Sequence, residues 1–178
     1  VIYLSRRIAP GGYWWFFPKK KNLVNVGLGV QPIEGAPNPI NQYRQFIKSR
    51  EELKNAKVVH AGGGVVPTRR FIHCPVANGV LAIGDAAFTC NPIHGGGIGS
   101  SMVSAKCAAE TIINALENYG EASLETLWSY SLCYIKKYGA KQAKLDIFRV
   151  FLQKLPDEDL NFAFRKGVIT GDEVYAIG

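Results

Sequence analysis

The sequence predicts an α+β protein. Three observations carry this: strand-like segments joined by short turns at the front, a strand–glycine loop–long helix stretch in the middle, and helical patterns to the end. Residues 1–8 and 22–31 are rich in Val, Ile, Leu and Tyr, as strands are. Gly11-Gly12 and the Lys19–Asn22 stretch supply turns. Between them Tyr13–Phe17 is an aromatic run of strand character that Pro18 is expected to end. Short connections imply an antiparallel sheet. A loop over 32–39 precedes a helix over 40–49 with Tyr43, Phe46 and Ile47 on one face, and a second helix is expected across 50–56. An extended segment, Val58–Ala61, runs into Gly62-Gly63-Gly64 and Pro67. Val80–Ile83 is a continuous apolar run, expected to be a strand buried on both faces.

A long helix follows over 97–118. Ile98, Met102, Ala105, Ala109, Ile112 and Leu116 recur at intervals of three and four and mark the face expected to turn inward. Gly120 ends it. Further helices are expected over 123–138, capped by Ser123 with Leu124, Leu127 and Tyr130/Ser131 inward, and over 140–155, broken by Pro156. A short helix near 157–166 and a partly ordered tail finish the chain.

Composition narrows the function classes. A hydrophobic share of 47% with 20% charged residues excludes a disordered or collagen-like chain, and the apolar runs are too short for a transmembrane helix. The net charge of +7 is uneven: residues 1–80 carry +9 and residues 81–178 carry −2. A basic first half suits phosphate, an anionic lipid surface or nucleic acid, or is simply solvated. Because the basic residues form no single helical stripe, nucleic acid is not expected as a partner. The four cysteines show no CxxC pair and no zinc-like spacing with His, so no metal is expected. Cys107 and Cys133 lie in helical patterns and read as buried free thiols, which points to a reducing cytoplasm.

The stretch from Ala82 to Gly99 carries the chemistry. It reads as a strand, an acidic residue at its end (Gly84-Asp85-Ala86-Ala87), Asn91-Pro92, and Gly95-Gly96-Gly97-Ile98 opening a helix. A carboxylate at a strand's end reaches a crevice where it accepts hydrogen bonds from ligand hydroxyls. Glycines at a helix start leave backbone N–H groups open, with the helix dipole adding positive charge. Asp85 alone would be read as a turn cap, and the glycines alone as tight packing. In combination they favour a ligand bearing a polyol and an electron-rich oxygen or phosphate.

These residues resemble the second FAD fingerprint of flavoproteins related to p-hydroxybenzoate hydroxylase, and within that group the geranylgeranyl reductases. The resemblance implies FAD as cofactor. It implies that Asp85 holds a ribityl hydroxyl, with Gly84 and Ala86 beside it, and that Pro92, Gly95, Gly96, Gly97 and Ile98 lie against the isoalloxazine. Tyr13-Trp14-Trp15-Phe16-Phe17-Pro18 also fits the Tyr-x-Trp-x-Phe-Pro motif of geranylgeranyl reductases. There the motif lines the cavity for the isoprenoid chain, which implies substrate contact for Tyr13, Trp15, Phe17 and Pro18. Period-2 spacing puts the three aromatics on one face.

One part of the family pattern is not found. Gly62-Gly63-Gly64 lacks a third glycine and Gly27-x-Gly29 leads to Pro32, so neither is a strand–GxGxxG–helix unit. With Met102 as the only methionine, the chain is therefore expected to be the C-terminal portion of such a protein, its N-terminal FAD-binding half being a missing partner. The expected domains are a substrate-domain sheet with a helix (1–66), the C-terminal part of an FAD-binding domain (67–120) and a C-terminal helical region (121–178). The resemblance implies an FAD-dependent reductase that saturates isoprenoid double bonds of lipid precursors, cytoplasmic and in contact with the membrane periphery, with the chain inactive by itself. No residue identifies itself as catalytic. His94 faces either ligand or solvent, and Cys90 is either redox-active or a plain small side chain. An FAD monooxygenase or halogenase fragment and a non-catalytic scaffold are the alternatives.

Overall fold

Alternating aromatic residues build the middle strand of a three-stranded sheet. In a computed structural model, which describes residues 1–32 and 35–169, β1 (Ile2–Tyr3) and β3 (Leu23–Gly29) flank β2 (Tyr13–Lys20), all antiparallel. The fold is α+β, as the sequence predicts. Two compact units are present: residues 1–63 with 152–168, and residues 64–151 with Ile169.

In the first unit β1 is shorter than expected. Pairing stops at Tyr3, and Ala9 N–H to Ser5 O (2.8 Å) and Gly12 N–H to Ala9 O (3.0 Å) fold the following residues into turns. Strand β2, by contrast, does not end at Pro18. The Phe16 N–H reaches the Val1 carbonyl (3.0 Å), the last bond on that edge, so two residues on a proline nitrogen faces no strand and removes nothing from the ladder. Asn22 turns the hairpin at φ 64°, a left-handed conformation Asn tolerates.

One face of this sheet is core. Trp14 is buried, its ring stacked 3.7 Å from Tyr3 and packed 3.6 Å from Phe46 of α1 (Pro39–Ser49). Asn38 starts α1, its Oδ1 accepting the Ile40 and Asn41 amides (2.9 and 3.3 Å), with Pro39 in the first turn. Tyr43, Phe46 and Ile47 share the inward face, as expected. The Arg50 guanidinium lies 5.3 Å from the Trp14 ring centre. Past α1 only one 3₁₀ turn, Glu51–Leu53, replaces the expected second helix. The segment at Val58–Ala61 joins no strand, and Val58 and Val59 are largely in solvent.

The second unit begins with a minimal hairpin, β4 (Val76–Ala77) against β5 (Val80–Leu81). The expected strand buried on both faces is not observed: Val80 and Ile83 are exposed, because β4 is its one pairing partner among the described residues. A 3₁₀ turn, Gly84–Ala87, leads through a loop to α2 (Ile98–Tyr119), which Gly120 closes at φ 71°. The extent of α2 matches the expectation, but its inward face does not. Ser100, Ser104, Cys107, Ala108, Thr111 and Ala115 are buried, while Ile98, Met102 and Leu116 are exposed. Size complementarity is the reason. Leu127, Tyr130 and Tyr134 fill the core from the other side, so α2 must present small side chains to them.

Those large residues come from α3 (Leu124–Leu127) and α4 (Ser129–Tyr134), followed without a break by a π-helical turn (Ile135–Gly139) and α5 (Ala140–Leu152). The expected helix over 123–138 is thus two short helices and a wide turn. Ser123 caps as expected and Leu127, Tyr130 and Ser131 are inward, but Leu124 is exposed. Cys107 and Cys133 are a disulfide tying α2 to α4, not free thiols, so the cysteines give no support to a reducing compartment. The last helix, α6 (Asp157–Arg165), belongs to the first unit: Asp157 accepts from Ser5 Oγ (2.9 Å) and the Arg6 amide (2.7 Å). The tail expected beyond it lies, from residue 170, outside the described residues. Among those residues no helix is long and apolar enough to cross a membrane.

Candidate functional site

In the second unit a buried asparagine shapes the loop before α2. Asn91 Oδ1 accepts the amides of Ile93 (2.8 Å) and His94 (3.3 Å). Its main chain donates to Gly96 O (2.8 Å) and accepts from the Gly95 amide (2.9 Å). This closes a tight loop in which Gly95 sits at φ 70°, a region that favours glycine. Gly97 then starts α2 with no side chain capping it. The first amides of a 22-residue helix, with their share of its dipole, are therefore left for something other than a side chain.

The loop is held from behind by α5. Gln142 is fully buried; its Nε2 donates to the carbonyls of Arg69 (2.9 Å), Cys90 (3.0 Å) and Phe88, and its Oε1 accepts from Tyr134 Oη (3.1 Å). Tyr130 Oη donates to Ala82 O (2.9 Å) and lies 2.7 Å from Ser104 Oγ, fixing the end of β5 against α2. Burial raises the pKa of both tyrosines, so they stay neutral hydrogen-bonding groups.

A cleft of about 410 Å³ opens at the helix start, lined by Gly96–Ser100 with His94, Val103 and Tyr138. Tyr138 stands on the π turn, a departure from α geometry of the kind that re-aims side chains at functional sites. His94 Nδ1 accepts the Gly96 amide (3.1 Å), and burial lowers its pKa, which keeps the ring uncharged at neutral pH. Cys90 is buried, its pKa pushed up to about 11 by burial and then by the charge of Asp85. It is a protonated thiol, which suits a plain small side chain and not a redox nucleophile.

Several of the residues singled out in the sequence come together here. Gly96, Gly97 and Ile98 line the cleft and Gly95 shapes its loop. Asp85 is exposed on the 3₁₀ turn beside the helix start: a Cβ built on Gly97 would lie 3.5 Å from its Oδ1. Gly84 and Ala86 are on the same turn, off the cleft wall, and Pro92 is buried within the loop. Ser100, Val103, Tyr138 and Gln142 were not singled out. The first two follow from the helix start, but nothing local in the sequence marks Tyr138 or Gln142.

In the first unit the sheet face opposite Trp14 carries Tyr13, Trp15 and Phe17 in a row. Ring centres are 5.9 Å apart for Tyr13–Trp15 and 6.3 Å for Trp15–Phe17, and the row grows more exposed toward Phe17. Trp15 Nε1 donates to Asn25 Oδ1 (2.6 Å), and its ring lies across Gly27, where any Cβ would overlap it. Gly27 therefore sets the tilt of the central ring. Pro18 continues the strand past the row. Among the described residues no cluster of His, Cys, Asp and Glu is arranged to hold a metal ion.

Residues 1–66 match the model of the geranylgeranyl reductase catalytic domain. The digeranylgeranylglycerophospholipid reductase of Sulfolobus acidocaldarius is 46% identical over 174 residues, covering 97% of this chain and 38% of that protein. Its namesake from Methanothrix thermoacetophila is 36% identical over 161 residues, covering 90% and 40%. The crystal structure of a geranylgeranyl bacteriochlorophyll reductase-like protein from Thermoplasma acidophilum superposes with a TM-score of 0.86 at 26% identity, covering 99% of this chain and 46% of that one. The chain thus spans about two fifths of the length of the curated relatives it matches. By sequence and by fold, the chain is similar to part of the geranylgeranyl reductases.

Proposed function

We propose that this chain supplies the flavin-facing loop and the substrate sheet of an FAD-dependent reductase that saturates isoprenoid double bonds of lipid precursors. The observation that carries the reading is the uncapped start of α2 opening on a cleft walled by glycine. Such a wall admits a flat ring to van der Waals contact with the main chain, and its amides favour an electron-rich edge. Asp85, exposed beside it, is an acceptor for a polyol hydroxyl. These residues fit FAD: Gly95–Ile98 against the ring and Asp85, with Gly84 and Ala86, at the ribityl chain. Bound and reduced, FAD would supply a hydride to one alkene carbon, with a proton from the medium going to the other.

The chain's own residues orient and shield. The first amides of α2, held in place by a loop that Asn91 and Gln142 fix, need no rearrangement to stabilise negative charge at the edge they face. His94, held neutral, keeps a positive charge out of the cleft. Tyr13, Trp15 and Phe17 offer a hydrocarbon a surface that excludes water, and an unactivated alkene depends on such positioning. The domain roles follow: substrate sheet in 1–66, part of the flavin domain in 67–120, supporting helices from 121 on. Names of the relatives support a geranylgeranyl lipid as substrate. The site of action would be the membrane periphery.

The test is a chimera in which this chain replaces the matching 174 residues of the Sulfolobus acidocaldarius reductase. With reduced flavin it is expected to add two hydrogens per double bond to a geranylgeranyl lipid, read by mass. Incorporation of oxygen or halogen would instead assign a monooxygenase or halogenase. A folded chimera that carries flavin and leaves the lipid unchanged would overturn the reading.

A further inference from the structure

The β2–β3 hairpin has a tip unlike the rest of the first unit. Phe17, Pro18, Lys19, Lys20, Lys21, Asn22 and Leu23 are all exposed, in a turn set by Asn22. Phe17 and Leu23 leave 37% and 44% of their surface in solvent on either side of three consecutive lysines. Among the described residues none of these lysines forms an ion pair. Residues 1–33 contain five Lys and Arg and no Asp or Glu, so nothing nearby in sequence offsets the charge. A solvated charged turn gains nothing from exposed Phe and Leu beside its lysines. Apolar side chains that enter the acyl boundary and cations that meet lipid phosphates are, in contrast, the two signals a stable interfacial contact requires.

We propose that the Phe17–Leu23 hairpin tip is the element that docks this protein on an anionic lipid bilayer. Lys19, Lys20 and Lys21 meet the headgroup phosphates while Leu23 and Phe17 enter the apolar boundary. Phe17 is also the outermost ring of the Tyr13–Trp15–Phe17 row, so a hydrocarbon leaving the bilayer at the tip meets the aromatic face at once. This deepens the reading of a lipid substrate by placing its point of entry, and it rests on that reading only for the purpose of the contact. Charge alone would serve nucleic acid equally well; the flanking apolar pair favours a membrane.

The test is co-sedimentation of the 178-residue chain with vesicles of phosphatidylcholine alone or mixed with phosphatidylglycerol. Binding is expected to be on the order of 100-fold tighter to the anionic vesicles. Lys19→Gln/Lys20→Gln/Lys21→Gln is expected to abolish that preference. Leu23→Ser is expected to leave the preference and lower affinity for both vesicles several-fold. All four positions are solvent-exposed, in the turn or at the strand ends beside it, and circular dichroism checks that each variant is folded. Equal binding to both vesicles, no binding to either, or an anionic preference that survives the triple substitution would overturn the proposal. So would equal affinity for duplex DNA with Leu23→Ser having no effect, which would assign a nucleic-acid contact. No flavin or turnover enters this measurement. Vesicle binding by a chain whose chimera holds no flavin would leave the hairpin assignment standing and overturn the reductase reading alone.

Discussion

In the first unit the open surface is made of side chains, Tyr13, Trp15 and Phe17, whereas the cleft of the second has bare main chain in its wall, at Gly96, Gly97 and Gly99. The two surfaces suit different partners. An aromatic face offers area to a hydrocarbon and needs no particular hydrogen bond. A glycine wall at a helix start offers directed N–H groups and room for close approach. They also fail differently. A side-chain surface is lost by trimming, and a backbone surface is lost by adding atoms or by loosening what holds it.

The largest expected effect separates the two faces of one strand. Trp14→Ala removes a buried ring and should cost about 3–5 kcal/mol of stability in urea denaturation. Trp15→Ala, on the open face, should cost about 1 kcal/mol or less while raising KM for the lipid in the chimera. Equal losses from the two tryptophans would end the distinction between core face and ligand face. Next is the support of the glycine wall. Gln142→Leu takes the donor away from the Arg69, Phe88 and Cys90 carbonyls and should cost about 2–4 kcal/mol. Near-native stability would show that the loop holds itself.

Alkaline pH should sharpen the contrast by acting on the second unit. The folded pKa of Cys90 is raised, so its thiol contributes stability in full below pH 9 and loses it as pH climbs toward 11. Tyr134, also raised by burial, acts in the same direction. The Cys90 share is at most about 3 kcal/mol. A melting temperature that falls between pH 9 and 11, and falls less in Cys90→Ala, is the expected result; identical curves would contradict the burial assigned to this thiol. The smallest effect on stability comes from Gly97→Ala. Its Cβ would make ordinary contacts, 3.4 Å from Cys90 Cβ and 3.5 Å from Asp85 Oδ1. Stability should shift by less than about 1 kcal/mol, yet flavin retention in the chimera should drop because the added methyl stands at the start of the wall. Full retention would remove Gly97 from the contact.

Much of this was legible in the sequence wherever one residue type has one geometric use. Alternating aromatics located β2, Asn and Gly located the loop, and Gly120 located the end of α2. The face of α2 was not legible. Apolar periodicity marks the greasy side of a helix, but Ser104 and Ala108 are inward because Tyr130 and Tyr134 occupy the space opposite them. Only the partner's size reveals that. The exposure of Val80 and Ile83 was missed for the same reason: a run of apolar residues states what it prefers, not how many strands pair with it. Gln142 and the Cys107–Cys133 bridge depend on residues 26 or more positions apart meeting in space, and no local pattern records this. For Pro18, the deciding fact was which edge of β2 its nitrogen faces.

The central claim is that the glycine wall and Asp85 together hold a flavin. Its most direct test is FAD titration of the chimera with and without Asp85→Ala, followed by fluorescence quenching. The expected result is an affinity at least about tenfold weaker for the variant, about 1.4 kcal/mol, with an unchanged melting temperature since Asp85 is exposed. Unchanged FAD affinity would contradict the assignment of this site.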